Sequence, residues 1–153
     1  MGDNHIYVMG GKDSRKLTFL GKVMKFNVNK LKWEEMPDLN YPRVEAGSFM
    51  CRKKENMYIF GGSHDSVERI NLHDPSAKWE KMEVEIPIEI AFKGGLTMLP
   101  MWYYNHELES VSKNSVLVFG GGMKDVYSYN PKTNTVNPVF QEQNEENERE
   151  DKL

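Results

Sequence analysis

Short runs of alternating apolar and polar residues recur along this chain, and no stretch sustains a 3.6-residue apolar period. Three of the runs share one form. His5-Ile-Tyr-Val-Met9, Met57-Tyr-Ile-Phe60 and Val116-Leu-Val-Phe119 each end at a glycine pair, Gly10-Gly11, Gly61-Gly62 and Gly120-Gly121. The pairs are 51 and then 59 residues apart, the period of a repeat architecture whose units bury their faces by stacking. A second apolar pair follows each copy, at Met24/Phe26, Ile70/Leu72 and Tyr127/Tyr129. After it comes a polar turn cluster, which includes Pro75 in the second copy and Pro131 in the third. A further strand opens with Trp33, Trp79 or Val136 and carries Met36, Met82 or Val139 three residues later.

Set on the aromatic before the second turn, the copies align without a gap, Phe26 and Trp33 with Leu72 and Trp79 and with Tyr129 and Val136. Each unit then reads as four strands, lettered a to d from the centre outwards. The second has a near 44–53, b 57–61, c 67–73 and d 78–83. The third has a near 92–99, b 115–120, c 125–130 and d 135–140. The first has b at 5–10, c at 22–28 and d at 32–36, with nothing upstream to supply strand a. The fold class is all-β, with units at about 1–39, 40–83 and 84–140. Residues 141–153 are polar and lack an aliphatic pattern, so a disordered tail is expected there.

Composition fits this reading. Glycine and proline total 19 and aromatics are 11%, as in a β-rich globular protein with many turns. The net charge of -3 is unevenly spread. Residues 141–153 hold six acids against Arg149 and Lys152, a net of -4, which leaves about +1 on the other 140 residues. A nearly neutral body offers no electrostatic case for nucleic acid or an anionic membrane. Cys51 stands alone, so no intrachain disulfide can form, and it reads as a buried inert thiol rather than a reactive one. No signal peptide, apolar run near 18 residues or glycosylation sequon is present, which implies a reducing cytoplasmic compartment.

Units with Gly-Gly closing strand b, an aromatic on strand c and a Trp on strand d resemble kelch repeats over residues 1–140. Pro42-Arg43 followed by Ala46-Gly47 is also similar to the kelch segment that enters strand a. Val136, Leu72 and Ala91 depart from the pattern, standing where Trp, an aromatic and an arginine would recur. The resemblance implies a β-propeller segment of about three blades. Gly10, Gly11, Phe26, Trp33, Gly61, Gly62, Leu72, Trp79, Gly120, Gly121, Tyr129 and Val136 are then structural. The glycines admit a close neighbouring backbone, and the large rings fill the wedge between sheets. Closed propellers have about four to eight blades, so three leave two faces bare. The missing blades could come from a longer chain, from a second copy or from another kelch chain. The start of the chain so close to strand b favours the first.

In a propeller the b–c and d–a loops gather at one mouth, which kelch domains are similar in using to hold proteins or peptides. The contact candidates there are Arg15, Lys16, Tyr41, Arg43 and His64, since Arg and Tyr serve as interface anchors. Arg43 reads equally as a blade-spacing residue that hydrogen-bonds backbone carbonyls. On the opposite face the insertion at 100–114 carries Trp102 and Tyr104, either as a docking knob or as inward rings of extended strands. The expected function is a protein-interaction module with no catalytic residue, metal or cofactor. His5, His64, His73 and His106 lack metal-ligand spacing, and no phosphate loop or nucleophile motif appears. The resemblance leaves one enzymatic alternative, a sugar (sialic acid-like) mutarotase built from Arg, Glu and His at the same mouth.

Overall fold

A computed structural model describes residues 4–51, 53, 55–92, 94–103 and 112–140. Three antiparallel sheets follow one another in chain order. The first joins β1 (His5–Met9), β4 (Val23–Asn27) and β5 (Lys32–Met36), with a small hairpin of β2 (Lys12–Asp13) and β3 (Thr18–Phe19) between β1 and β4. The second runs β6 (Gly47–Met50), β7 (Asn56–Phe60), β8 (Val67–Asn71) and β9 (Glu80–Met82). The third runs β10 (Leu96–Pro100), β11 (Val116–Gly120), β12 (Val126–Asn130) and β13 (Thr135–Phe140). These are four-stranded blades in the a-to-d order, the first with three strands among the described residues. The β2–β3 hairpin and one turn of helix, α1 (Ile88–Ala91), are additions to the four-strand pattern. Both are too short to impose a period on the sequence. The acidic tail and Tyr104 lie outside the described residues.

The sheets stack face to face, and each contact is a separate apolar layer. Between the first and second blades lie Val23, Met57, Ile59, Ile70 and Trp79, with Tyr7, Met9 and Met36 packed alongside. Between the second and third lie Phe49, Tyr58, Phe60, Val116, Val118 and Tyr129, with Val136 at the margin. Strand alternation explains the division. Met57 and Ile59 point from β7 toward the preceding blade, while Tyr58 and Phe60 point toward the following one. The middle blade is therefore apolar on both faces, as β7 shows by being buried over Met57–Phe60.

The strand register corrects two expectations. Phe26 pairs with Trp33 and Tyr129 with Val136, seven residues apart in each case. In the second blade Arg69 pairs with Glu80, so one further step sets Ile70 opposite Trp79, nine residues away. Ile70, not Leu72, is thus the counterpart of Phe26 and Tyr129, and the turn between β8 and β9 holds two extra residues. The shift brings Asn27, Asn71 and Asn130 into one position. Each uses its side-chain oxygen to accept the backbone N–H two residues on, so the same Asx turn closes strand c in every blade.

Trp79 and Trp33 also part company. The Trp79 ring is buried between the first two blades, and its Nε1 donates to the carbonyl of Pro37 at 2.9 Å. Trp33 occupies the same position one blade earlier but fills no wedge. It rests on Phe26, with ring centroids 5.0 Å apart, and is 54% exposed because no sheet precedes it among the described residues.

The glycine pairs sit where a neighbouring backbone crosses the strand end. A Cβ on Gly10 would lie 2.3 Å from the Arg43 carbonyl oxygen, and one on Gly62 would lie 2.5 Å from that of Val44. Both glycines also hold positive φ, 67° and 84°. The crossing chain is the d-to-a connection of residues 37–46, and it leads to the mouth.

Candidate functional site

Arg43 is the pivot of that connection. Its carbonyl accepts Gly11 N–H at 2.9 Å and its N–H donates to Leu20, fixing the loop to the first blade. Its side chain reaches into the second blade. Nη1 donates to the carbonyls of Gly61 and Ser66 at 3.0 and 2.9 Å, and Nη2 donates to Ser66 Oγ at 2.9 Å and to Glu68 Oε1 at 2.6 Å. Glu68 in turn accepts the backbone N–H and Nδ2 of Asn40, at 2.8 and 2.9 Å, and the N–H of Tyr41. Both charged side chains are wholly buried. Burial pulls the Arg43 guanidinium down from its ordinary range, while the Glu68 carboxylate pulls it back up. A residue enclosed in this way touches no partner, so Arg43 leaves the contact set. Its place is that of a spacer between blades that hydrogen-bonds backbone carbonyls.

Above this clamp Tyr41 and His64 come together. Their rings stack with centroids 4.0 Å apart and planes 28° from parallel, and both residues are half-buried. Lys81 Nζ lies 5.9 Å from the Tyr41 centroid, within cation–π range. His64 Nδ1 is 2.9 Å from Ser66 Oγ and 3.3 Å from Asp65 Oδ1. Partial burial, followed by the charge of Arg43, lowers the His64 pKa below its ordinary value. A polar chain thus runs inward from His64 through Ser66 to Arg43 and Glu68. It holds the aromatic pair at the surface on a fixed base.

Arg15 and Lys16 belong to the neighbouring b–c loop, at the tip of the β2–β3 hairpin. Asp13 Oδ1 accepts both of their backbone N–H groups, at 2.9 and 3.1 Å, which turns the chain and leaves both side chains exposed. Leu17 and Phe19 on the same hairpin are 73% and 47% exposed. The hairpin therefore presents cations beside apolar side chains. In the third blade the corresponding loop is only a few residues long, closed by Met123 N–H donating to Gly120.

Trp102 stands apart from this group. It lies in a 3₁₀ turn (Met101–Tyr103) beyond the other end of β10, with its ring 6.1 Å from Phe49 and against the core between blades two and three. There it helps line a cavity of about 330 Å³ with Cys51, Tyr58 and Lys132. Trp102 is thus packed against the core from a 3₁₀ turn rather than from an extended strand. Cys51 is partly exposed rather than buried, and its Sγ accepts Asn56 N–H at 3.2 Å.

The sequence reading of the mouth does not include Glu68 or Lys81, and Asn40 and Ser66 enter it only as loop positions, not as contact candidates. Glu68 had a legible signal, a carboxylate inside the apolar strand Val67–Asn71, where an acid requires a cation. The described residues hold no group of three or more His, Cys, Asp or Glu placed to share a metal ion, and no helix among them is long and apolar enough to cross a membrane. A family model described as the Kelch motif matches residues 2–40, the span of β1 to β5 and the start of the connection that follows. Comparison with curated proteins finds no match.

Proposed function

We propose that this chain, in which a Kelch motif matches residues 2–40, is a protein-interaction module of the kelch-repeat type that grips a partner protein or peptide with its mouth loops and performs no chemistry of its own. The observation that carries this reading is the Tyr41–His64 stack, seated on the buried Arg43–Glu68 pair. A preorganised aromatic surface held by buried hydrogen bonds binds with little ordering cost. Beside it the hairpin offers Arg15 and Lys16 with Leu17 and Phe19, a surface suited to a segment of mixed acidic and apolar character. The sugar-mutarotase alternative asks for Arg and Glu facing an open pocket. Arg43 and Glu68 are instead paired and enclosed, which favours binding over turnover.

The test is chemical crosslinking of the full chain in its native cell, in parallel with an Arg15→Glu/Lys16→Glu/Tyr41→Ala variant and a Trp102→Ala variant. Partners should crosslink to the wild type and to Trp102→Ala and be lost from the mouth variant. Partners retained by the mouth variant, or anomer interconversion of a sugar by the wild type, would contradict the proposal.

A further inference from the structure

The stacking rule that builds this molecule leaves its two end faces complementary. Each blade turns one face to the blade before it through fixed positions. In the second blade these are Met57, Ile59 and Trp79, each at most 4% exposed, and in the third they include Val116 and Val118, both at 0%. Counting back from the glycine pair and along the register, the same positions in the first blade are Ile6, Val8 and Trp33. They are 55%, 48% and 54% exposed. The opposite faces follow a matching rule. Tyr7 and Met9 cover the second blade, Tyr58 and Phe60 cover the third, and in the third blade Leu117 and Phe119, at the same alternate positions of β11, are only partly buried and belong to neither apolar layer.

We propose that a second copy of this chain covers the Ile6–Val8–Trp33 face with its own Leu117–Phe119 face, and does so reciprocally, so that two three-blade arcs close into one six-bladed ring. The new contact continues the interface already formed twice within the chain, with the same positions on each side. Six blades fall inside the range of roughly four to eight at which such sheets close. Closure also matters for specificity, because a head-to-tail contact that closes gives a finite pair and one that does not gives a filament. The hydrogen bonding has a counterpart as well. Trp79 Nε1 donates to the carbonyl of Pro37 at the end of the preceding blade. Position 140 of the second copy stands in the place of Pro37 before Trp33, and its carbonyl is the acceptor that Trp33 Nε1 would find there. None of this depends on what the mouth binds.

Light scattering on the full chain after size-exclusion chromatography tests the proposal. The expected mass is twice the 17.8 kDa of one chain. Trp33→Glu and Phe119→Glu should each give a monomer with an unchanged far-ultraviolet spectrum, and Val8→Lys replaces Trp33→Glu if that variant fails to fold. Mixing the two variants should return dimer, since one junction of the mixed pair carries both substitutions and the other carries neither. A wild type that stays monomeric at all concentrations overturns the proposal. So does a dimer that Phe119→Glu leaves intact, or a mixture that remains monomeric.

Discussion

Arg43 Nη2 and Glu68 Oε1 meet at 2.6 Å with neither side chain exposed to solvent, which joins the loop leaving the first blade to a central strand of the second. Removing one partner strands a buried charge, so Glu68→Ala or Arg43→Ala alone should cost about 3–5 kcal/mol. Replacing both by Leu and Met should cost less than the sum of the two, because no lone charge remains. Urea denaturation of the four proteins gives the coupling directly. Strictly additive losses would show that the two side chains act independently.

The two repeat-equivalent tryptophans should behave differently. Trp79→Ala removes a buried ring and its bond to Pro37, at a cost of about 3–5 kcal/mol. Trp33→Ala should change the stability of the monomer by under about 1 kcal/mol, since half the ring already faces solvent. The comparison is best made by urea denaturation at a protein concentration where light scattering shows each variant to be monomeric. Equal losses would mean that Trp33 is covered within its own chain.

Glycine at the strand ends answers to two separate demands. Gly10 and Gly122 have similar positive φ, 67° and 74°, but only Gly10 has a carbonyl where its Cβ would go. Gly122→Ala should cost about 1–2 kcal/mol from backbone strain alone. Gly10→Ala should cost more, and amide exchange at Gly11 should rise as the Arg43 carbonyl is pushed aside. Equal effects at the two sites would leave the close approach without a role.

His64 gives the mouth a pH dependence. Its folded-state pKa lies below the unfolded value near 6.5, because burial and Arg43 disfavour the imidazolium more than Asp65 and Glu68 favour it. The unfolded chain therefore takes up the proton first. The contribution of His64 to stability is complete above the unfolded pKa and is lost as pH falls below it. Melting between pH 7.5 and 5.5 should show the wild type losing stability faster than His64→Gln, and the His64 ring should titrate by NMR below its ordinary value. A raised pKa would contradict this arrangement.

Most of the architecture could be read in the chain because it follows from local pattern. Alternation and glycine pairs located the b, c and d strands within a residue or two. What the pattern could not carry was a difference between copies. An ungapped alignment of the turns hid the two extra residues before Trp79, and only the pairing of Arg69 with Glu80 exposes them. Arg43 showed the same limit. Sequence gives an arginine in a mouth loop, but whether it faces solvent depends on Glu68, 25 residues away and brought beneath it by the turn of the second blade. Tyr41 and His64 were recognisable one at a time, whereas their stacking is a product of the fold.

Hydrogen–deuterium exchange of the full chain, free and with a crosslinked partner, tests the binding account most directly. The expected result is added protection in residues 12–19, 38–45 and 63–66, the hairpin, the connection and the loop that frame the Tyr41–His64 pair. Protection confined to the turns at 28–31, 72–78 and 131–134 on the opposite face, with the mouth unchanged, would contradict it.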